Sequence, residues 1–342
     1  MKAAVIEKFG SVVVREIAEP KMGDYDALCE LLYGATCTGT DSHIIEGSFP
    51  WIGKLPTVPG HESVGRVISI GKKVRNFKVG DLVTRVGTPP TSDGKFSVTW
   101  GGFAQMGIAK DHWAMCADGL PAAEWNDGMV RANQIVPPSV DPRVAPMFTT
   151  WRETLSLIKR FGVSGGSNII IAGSGGNGLA FAAHCAILGA TVAMVGSPKR
   201  EQSALAAGVK HYFSYGMEDM AGTVLKSVPE GFDFALDALG RKGIAEQLLA
   251  CLKSKGKLTI YGIDDFGKIS INPGFARGEF IFCKANYSEA ETHQDVSELV
   301  LQGKLDANIW YDVEKAYPLS EIAAAFEDVK KSPKSKMLIK LK

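Results

Sequence analysis

No Cys-x-x-C pair occurs in the 342-residue chain; its six cysteines, Cys29, Cys37, Cys116, Cys185, Cys251 and Cys283, are scattered singly. That spacing excludes a zinc ribbon or a thioredoxin-like redox motif, and a disulfide framework is not expected in so long a chain. A reducing, cytoplasmic setting is the expectation. A dominant charge is missing too. Thirty-eight Lys and Arg stand against thirty-seven Asp and Glu, a formal net charge of +1, with no long block of either sign. The balance argues against a nucleic-acid binder and against a polybasic membrane-surface protein, so the expected partners are small molecules. The start of the chain lacks the apolar core of a signal peptide, because Glu7 and Lys8 follow closely on Met1.

Residues 161–198 contain no Asp, Glu, Lys or Arg, and residues 178–195 are apolar enough to imitate a membrane span. Glycines interrupt the imitation. Gly173, Gly175, Gly176 and Gly178 precede the apolar stretch and Gly189 divides it, with β-branched runs on either side. Strand, loop, helix and strand fit that punctuation, buried in a parallel sheet.

Before residue 145, short β runs at residues 3–6, 12–17, 27–33, 64–70 and 82–86 are set off by Gly and Pro, which predicts a β-rich barrel or sandwich. After residue 150 the texture changes to α/β alternation. Trp151, Leu155 and Ile158 share a helical face; strands are predicted at 168–172, 191–195, 232–236 and 258–261, and helices at 177–188 and through Ile244, Leu248 and Leu252. Such alternation implies a doubly wound parallel sheet. The tail predicts a helix near 321–329 and a last strand at 337–341, and the proline-containing segment 136–142 is the candidate crossing between domains.

Gly173, Gly175 and Gly178 form G-x-G-x-x-G directly after a predicted strand and at the opening of a helix. In that context the first glycine permits the turn, the second lets backbone approach a pyrophosphate, and the third packs helix against strand. Gly173, Ser174, Gly175, Gly176, Asn177 and Gly178 are therefore the candidate dinucleotide loop. At the end of the next strand, Gly196-Ser197-Pro198-Lys199-Arg200 has no carboxylate to take the ribose hydroxyls of NAD. A hydroxyl and two cations at Ser197, Lys199 and Arg200 suit a 2′-phosphate instead, so NADP is favoured over NAD.

Cys37 and the pair His61-Glu62 combine a thiolate, an imidazole and a carboxylate, the donor set of a catalytic zinc. Together with Gly60 to Gly65, Val79-Gly80-Asp81, Gly101-Gly102-Phe103-Ala104, the glycine loop and Gly256 to Gly262, they make the chain resemble the zinc-dependent medium-chain alcohol/polyol dehydrogenases over essentially its whole length. The resemblance implies a GroES-like catalytic domain from residues 1–147 and 287–342, a Rossmann domain inserted at 148–286, and an active site in the cleft. It implies zinc on Cys37, His61 and Glu62, an alcohol proton taken by Thr40 and relayed by His43, and an Asp41 carboxylate orienting the ligating histidine. It also implies a homodimer or homotetramer.

Four departures from the family pattern stand out. One extra residue separates Cys37 from Thr40-Asp41; the usual third ligand falls on Thr149, with Glu153 a distant substitute; residues 86–113 lack the four-cysteine lobe, so no structural zinc is expected; and Asn177 replaces a branched apolar residue behind the nicotinamide. The expected reaction is oxidation of a secondary alcohol, of the sugar or polyol class, to its ketone. Phe49 and Trp51 are candidate pocket walls, and the five other cysteines are expected in the core. The rival readings are a zinc-free quinone or enoyl reductase of the same superfamily and a non-catalytic nucleotide-sensing module.

Overall fold

The structure, a computed structural model, describes every residue from Met1 to Lys342. Its contacts divide the chain into two compact units. One comprises Met1–Arg152, Ser288–Lys331 and Lys336–Lys342; the other comprises Glu153–Tyr287 and Ser332–Ser335. The proline-containing segment 136–142 lies inside the first of them.

The first unit is the GroES-like domain and is built on the long strand Asp26–Ala35. Ser63–Ile70 and Met106–Lys110 pair antiparallel with it, Leu82–Thr84 continues the sheet beyond Ser63–Ile70, and the C-terminal strand Leu338–Lys340 closes on its other end. Antiparallel pairing has a direct consequence for the site. Gly34 lies opposite Ser63, so the residues just after the first strand, including Cys37, adjoin those just before the second, His61 and Glu62. The bond from Ala35 N–H to the Glu62 carbonyl, 2.8 Å, holds the two ends together.

The second unit is a six-stranded parallel Rossmann sheet. Its spatial order is His211–Ser214, Thr191–Gly196, Asn168–Ala172, Phe232–Asp237, Leu252–Ile260 and Phe280–Lys284, the 3-2-1-4-5-6 arrangement of a dinucleotide-binding fold. Ile169, Ile170 and Ile171 are consecutive and all wholly buried. Successive side chains of a strand point to opposite faces, so both faces are covered, and the unpunctuated apolar run follows from that. No helix is long and apolar enough to cross a membrane.

Two expectations are corrected. Leu252 opens a strand; the helix carrying Ile244 and Leu248 stops at Leu249. A four-residue step reads as one more helical turn, but Leu252 pairs with Phe232 across the sheet, and the tertiary contact overrides the local period. Nor do all five remaining cysteines enter the core: Cys29, Cys185 and Cys251 are buried, while Cys116 is exposed and Cys283 half-buried. Cys116 stands in the last turn of the short helix His112–Ala117 and Cys283 on the edge strand, where one side has no neighbour.

Candidate active site

Cys37, His61 and Glu62, all buried, present Sγ, a ring nitrogen and a carboxylate oxygen within 4.8 Å of one another. The turn after Asp26–Ala35 is tied by Asp41, whose Oδ2 accepts from Cys37 N–H at 2.9 Å, and Thr40 N–H approaches Cys37 Sγ at 3.4 Å. Gly39 stands at the N-cap of the helix Thr40–Glu46. Asp41 is wholly buried and its Oδ1 faces His61 Nδ1 at 3.4 Å, leaving Nε2 on the side of Glu62, 3.6 Å from Oε1. Just before His61, Gly60 has φ +98°, and a Cβ there would lie 2.7 Å from the Phe103 backbone nitrogen. Only glycine lets the chain make this approach.

Burial works against a charged His61, but Asp41 and then Cys37 outweigh it and push the imidazole up to about 10. A field that holds a proton so firmly favours a cation of any kind, and a divalent metal competes for the same nitrogen. Glu62 contributes a further feature. Its Oε1 accepts from Lys336 Nζ at 2.5 Å and from Thr150 Oγ1 at 2.8 Å, whereas its Oε2 is buried with no hydrogen-bond partner. An orphaned anionic oxygen beside a thiol and an imidazole fits a bound zinc.

Thr149, at the family's usual third-ligand position, turns its hydroxyl to the His61 carbonyl at 3.4 Å. Glu153 Oε1 accepts from Asn177 and Tyr261. Thr40 and His43 lie three residues apart on one short helix, and His43 Nδ1 meets the exposed Ser48 Oγ at 2.8 Å. Phe49 is buried and Trp51 is 63% exposed, their rings in edge contact at 5.4 Å.

Three residues of the site escaped sequence reasoning. Lys336 lies 274 positions from Glu62, in a lysine-rich stretch without a local pattern. Trp100 sits 5.4 Å from the His61 ring and 5.2 Å from Phe49, and Arg85 Nη1 donates to the His61 carbonyl at 2.9 Å. Trp100 and Arg85 have φ of +74° and +62°, a left-handed conformation that bulky residues rarely adopt. The Gly101-Gly102 pair after Trp100 hinted at a tight backbone but could not reveal which way the indole turns.

In the second unit, each glycine of the loop has its own steric reason. Gly173 has φ +112°; a Cβ on Gly178 would lie 1.9 Å from the Gly173 carbonyl; and a Cβ on Gly175 would meet nothing within 4 Å. The open approach at Gly175, at the N-terminus of the helix Gly176–Ile187, is the cradle that a pyrophosphate would fill. Ser174 Oγ accepts from Ser197 N–H at 2.9 Å and links this loop to the next strand end. Gly196 leaves no room for a side chain there, since a Cβ would come within 2.5 Å of both Ser174 and Tyr212. Lys199 is exposed while Arg200 is buried, and burial pulls the Arg200 guanidinium down to about 10, opposed by Tyr212.

Comparison with known proteins agrees with this geometry. Residues 23–119 match the family described as "Alcohol dehydrogenase GroES-like domain", and residues 176–298 match "Zinc-binding dehydrogenase". The chain is 28% identical over 268 residues to an alcohol dehydrogenase of Geobacillus stearothermophilus, covering 77% of each protein. It is 25% identical over 299 residues to an L-threonine 3-dehydrogenase of Aeromonas hydrophila, covering 81% of this chain and 83% of that one. The solved structure of 2R,3R-butanediol dehydrogenase from Bacillus subtilis superposes with a TM-score of 0.81 at 19% identity, covering 99% of both chains.

Proposed function

Because the chain belongs to the zinc-containing medium-chain alcohol dehydrogenase family, whose members are NAD(P)-dependent, we propose that it interconverts a secondary alcohol of the sugar or polyol class and its ketone, with NADP preferred. The observation that carries this reading is the convergence of Cys37, His61 and Glu62 within 4.8 Å, with Glu62 Oε2 unpartnered. Bound at these residues, zinc supplies Lewis acidity that makes an alcohol easier to deprotonate, and the nicotinamide dinucleotide exchanges the hydride.

The protein's own groups supply position and a proton path. Asp41 sets the His61 ring, so that Nε2 is the nitrogen offered on the metal side. Residues three apart on a helix share a face. Thr40 is accordingly assigned to take the alcohol proton, and His43 to pass it through Ser48 to solvent. Phe49, Trp51 and Trp100, which form a chain of ring contacts ending at His61, are assigned as walls of the substrate pocket.

The NADP preference rests on Gly196, Ser197, Lys199 and Arg200. Residues 196–200 carry no carboxylate, and a dianion would favour the charged form of the buried Arg200 guanidinium. Arg200→Gln is expected to weaken NADPH binding about ten- to a hundredfold, the range of a charged hydrogen bond, and to leave NADH nearly unaffected. Fluorescence titration with the two reduced cofactors measures the ratio, and a parent enzyme that prefers NADH would overturn the assignment. A homodimer or homotetramer is proposed as well, because the edge strand Phe280–Lys284 exposes half of Ile281 and Phe282 beside an unpaired backbone edge.

The deciding experiment pairs metal analysis with a screen of alcohols and polyols against NAD and NADP, read at the nicotinamide absorbance. About one zinc per chain and turnover of a secondary alcohol are expected. Zinc below about a tenth of an equivalent with intact enone reduction would sink the reading in favour of a zinc-free reductase.

A further inference from the structure

Glu153, Asn177 and Tyr261 close a ring of hydrogen bonds at the carboxyl ends of the parallel strands. Asn177 Nδ2 donates to Glu153 Oε1 at 2.9 Å and to Tyr261 Oη at 2.5 Å, and the Tyr261 hydroxyl donates to the same Glu153 oxygen at 2.6 Å. Glu153 is 6% exposed, and Tyr261 is braced by Phe181 and Tyr287 at ring separations of 5.0 and 6.0 Å. The carboxylate decides how the amide sits. Turning Oδ1 towards Glu153 would set two acceptors against each other, so the amide nitrogen faces the ring and Asn177 Oδ1 faces away from it. Asn177 is itself only half-buried, so this oxygen is a fixed acceptor that a ligand can reach.

Its place in the sheet indicates which ligand. A fold of order 3-2-1-4-5-6 binds a dinucleotide across the carboxyl ends, with one mononucleotide on each half and the pyrophosphate at the glycine turn. The glycine loop and the strand Thr191–Gly196 belong to the adenosine half. Asn177 starts from that loop and reaches Tyr261, directly after the fifth strand, Leu252–Ile260, in the other half.

Resting on the dinucleotide-binding reading above, we propose that Asn177 Oδ1 accepts a hydrogen bond from the carboxamide N–H of the nicotinamide, and that Glu153 and Tyr261 are positioning residues that fix its direction. A branched apolar residue here could only pack against the nicotinamide; this chain hydrogen-bonds it.

Equilibrium binding of three probes tests the assignment without any turnover: NADPH, its 3-acetylpyridine analogue, in which a methyl ketone replaces the carboxamide, and ADP-ribose, which lacks the nicotinamide. Asn177→Leu is expected to weaken NADPH about tenfold, as for one lost hydrogen bond, and to leave ADP-ribose unchanged. The parent protein should discriminate against the acetylpyridine analogue, and the variant should not. Tyr261→Phe, which keeps the asparagine but loosens its ring, should lose part of the same discrimination with ADP-ribose again unaffected. An equal loss for ADP-ribose, or unchanged discrimination in Asn177→Leu, would overturn the proposal while leaving the dinucleotide reading intact. If the parent binds neither NADPH nor ADP-ribose, both fall together.

Discussion

Cys37→Ala is expected to retain less than about a tenth of an equivalent of zinc and to lose turnover by roughly a thousandfold or more, while binding NADPH as the parent does. The sulfur is the single soft donor of the buried cluster, and without it His61 and Glu62 remain as a weak pair. The backbone around it survives the change. Cys37 N–H still has Asp41 Oδ2 to bond, and Asp41 N–H still has the Cys37 carbonyl at 3.1 Å, so the turn and the helix after it keep their shape. The glycine loop belongs to the other unit and is untouched. Metal analysis, initial rates and NADPH titration on one preparation separate the three effects. A variant that keeps its zinc would remove Cys37 from the ligand set, and one that keeps its rate would remove zinc from the reaction.

Lys336→Met is expected to destabilise the metal-free protein by about 3–5 kcal/mol, the cost of leaving a buried charge without its partner. The side chains of Lys336 and Glu62 are each 1% exposed. With the ammonium gone, the Glu62 carboxylate keeps only the Thr150 hydroxyl and the more distant His61 Nε2, 3.6 Å from Oε1. A zinc ion on the free oxygen would neutralise the same charge, so added metal should restore much of the loss. Thermal unfolding with and without chelator reads this as a gap between apo and loaded melting temperatures that is wider in the variant, by about 10 °C for a unit of this size. Loss of equal size in both states would mean that Lys336 only fills space. Glu62→Gln in the Lys336→Met background should recover part of the stability, because the carboxylate and not the cavity is the source of the cost.

Both effects follow from a cluster whose parts differ in how far they could be read in advance. Cys37, His61 and Glu62 are short-range signals, each lying next to the end of a strand that alternation had already marked. Antiparallel pairing of Gly34 with Ser63 then brings them together with little freedom to do otherwise. Lys336 is different in kind. Thr36 N–H donates to the Met337 carbonyl at 3.0 Å and Met337 N–H donates to Thr36 Oγ1 at 2.9 Å, so the last strand delivers the ammonium to Glu62 from the far end of the chain. No periodicity encodes such a meeting. Trp100 was hidden for a conformational reason, because a tryptophan at φ +74° is stable only where its surroundings hold it. Leu252 was misassigned because a step of four is common to a helical face and to a helix that stops one turn early.

Asn177 was visible as an oddity in a glycine loop, and its consequence was not. Whether an asparagine side chain is idle or aimed depends on who takes its amide nitrogen, and Glu153 and Tyr261 lie 24 and 84 residues away.

By itself the sequence determined the two textures of the chain, the candidate nucleotide loop and the candidate donor set for a metal, since each depends on residues a few positions apart and on local sterics. Tertiary structure alone decided which oxygen of Glu62 is left for a cation, which nitrogen of His61 is offered and which end of the Asn177 amide faces outward. Those choices belong to hydrogen-bond partners recruited from distant strands, and a buried polar group takes whichever partner the fold puts within about 3 Å.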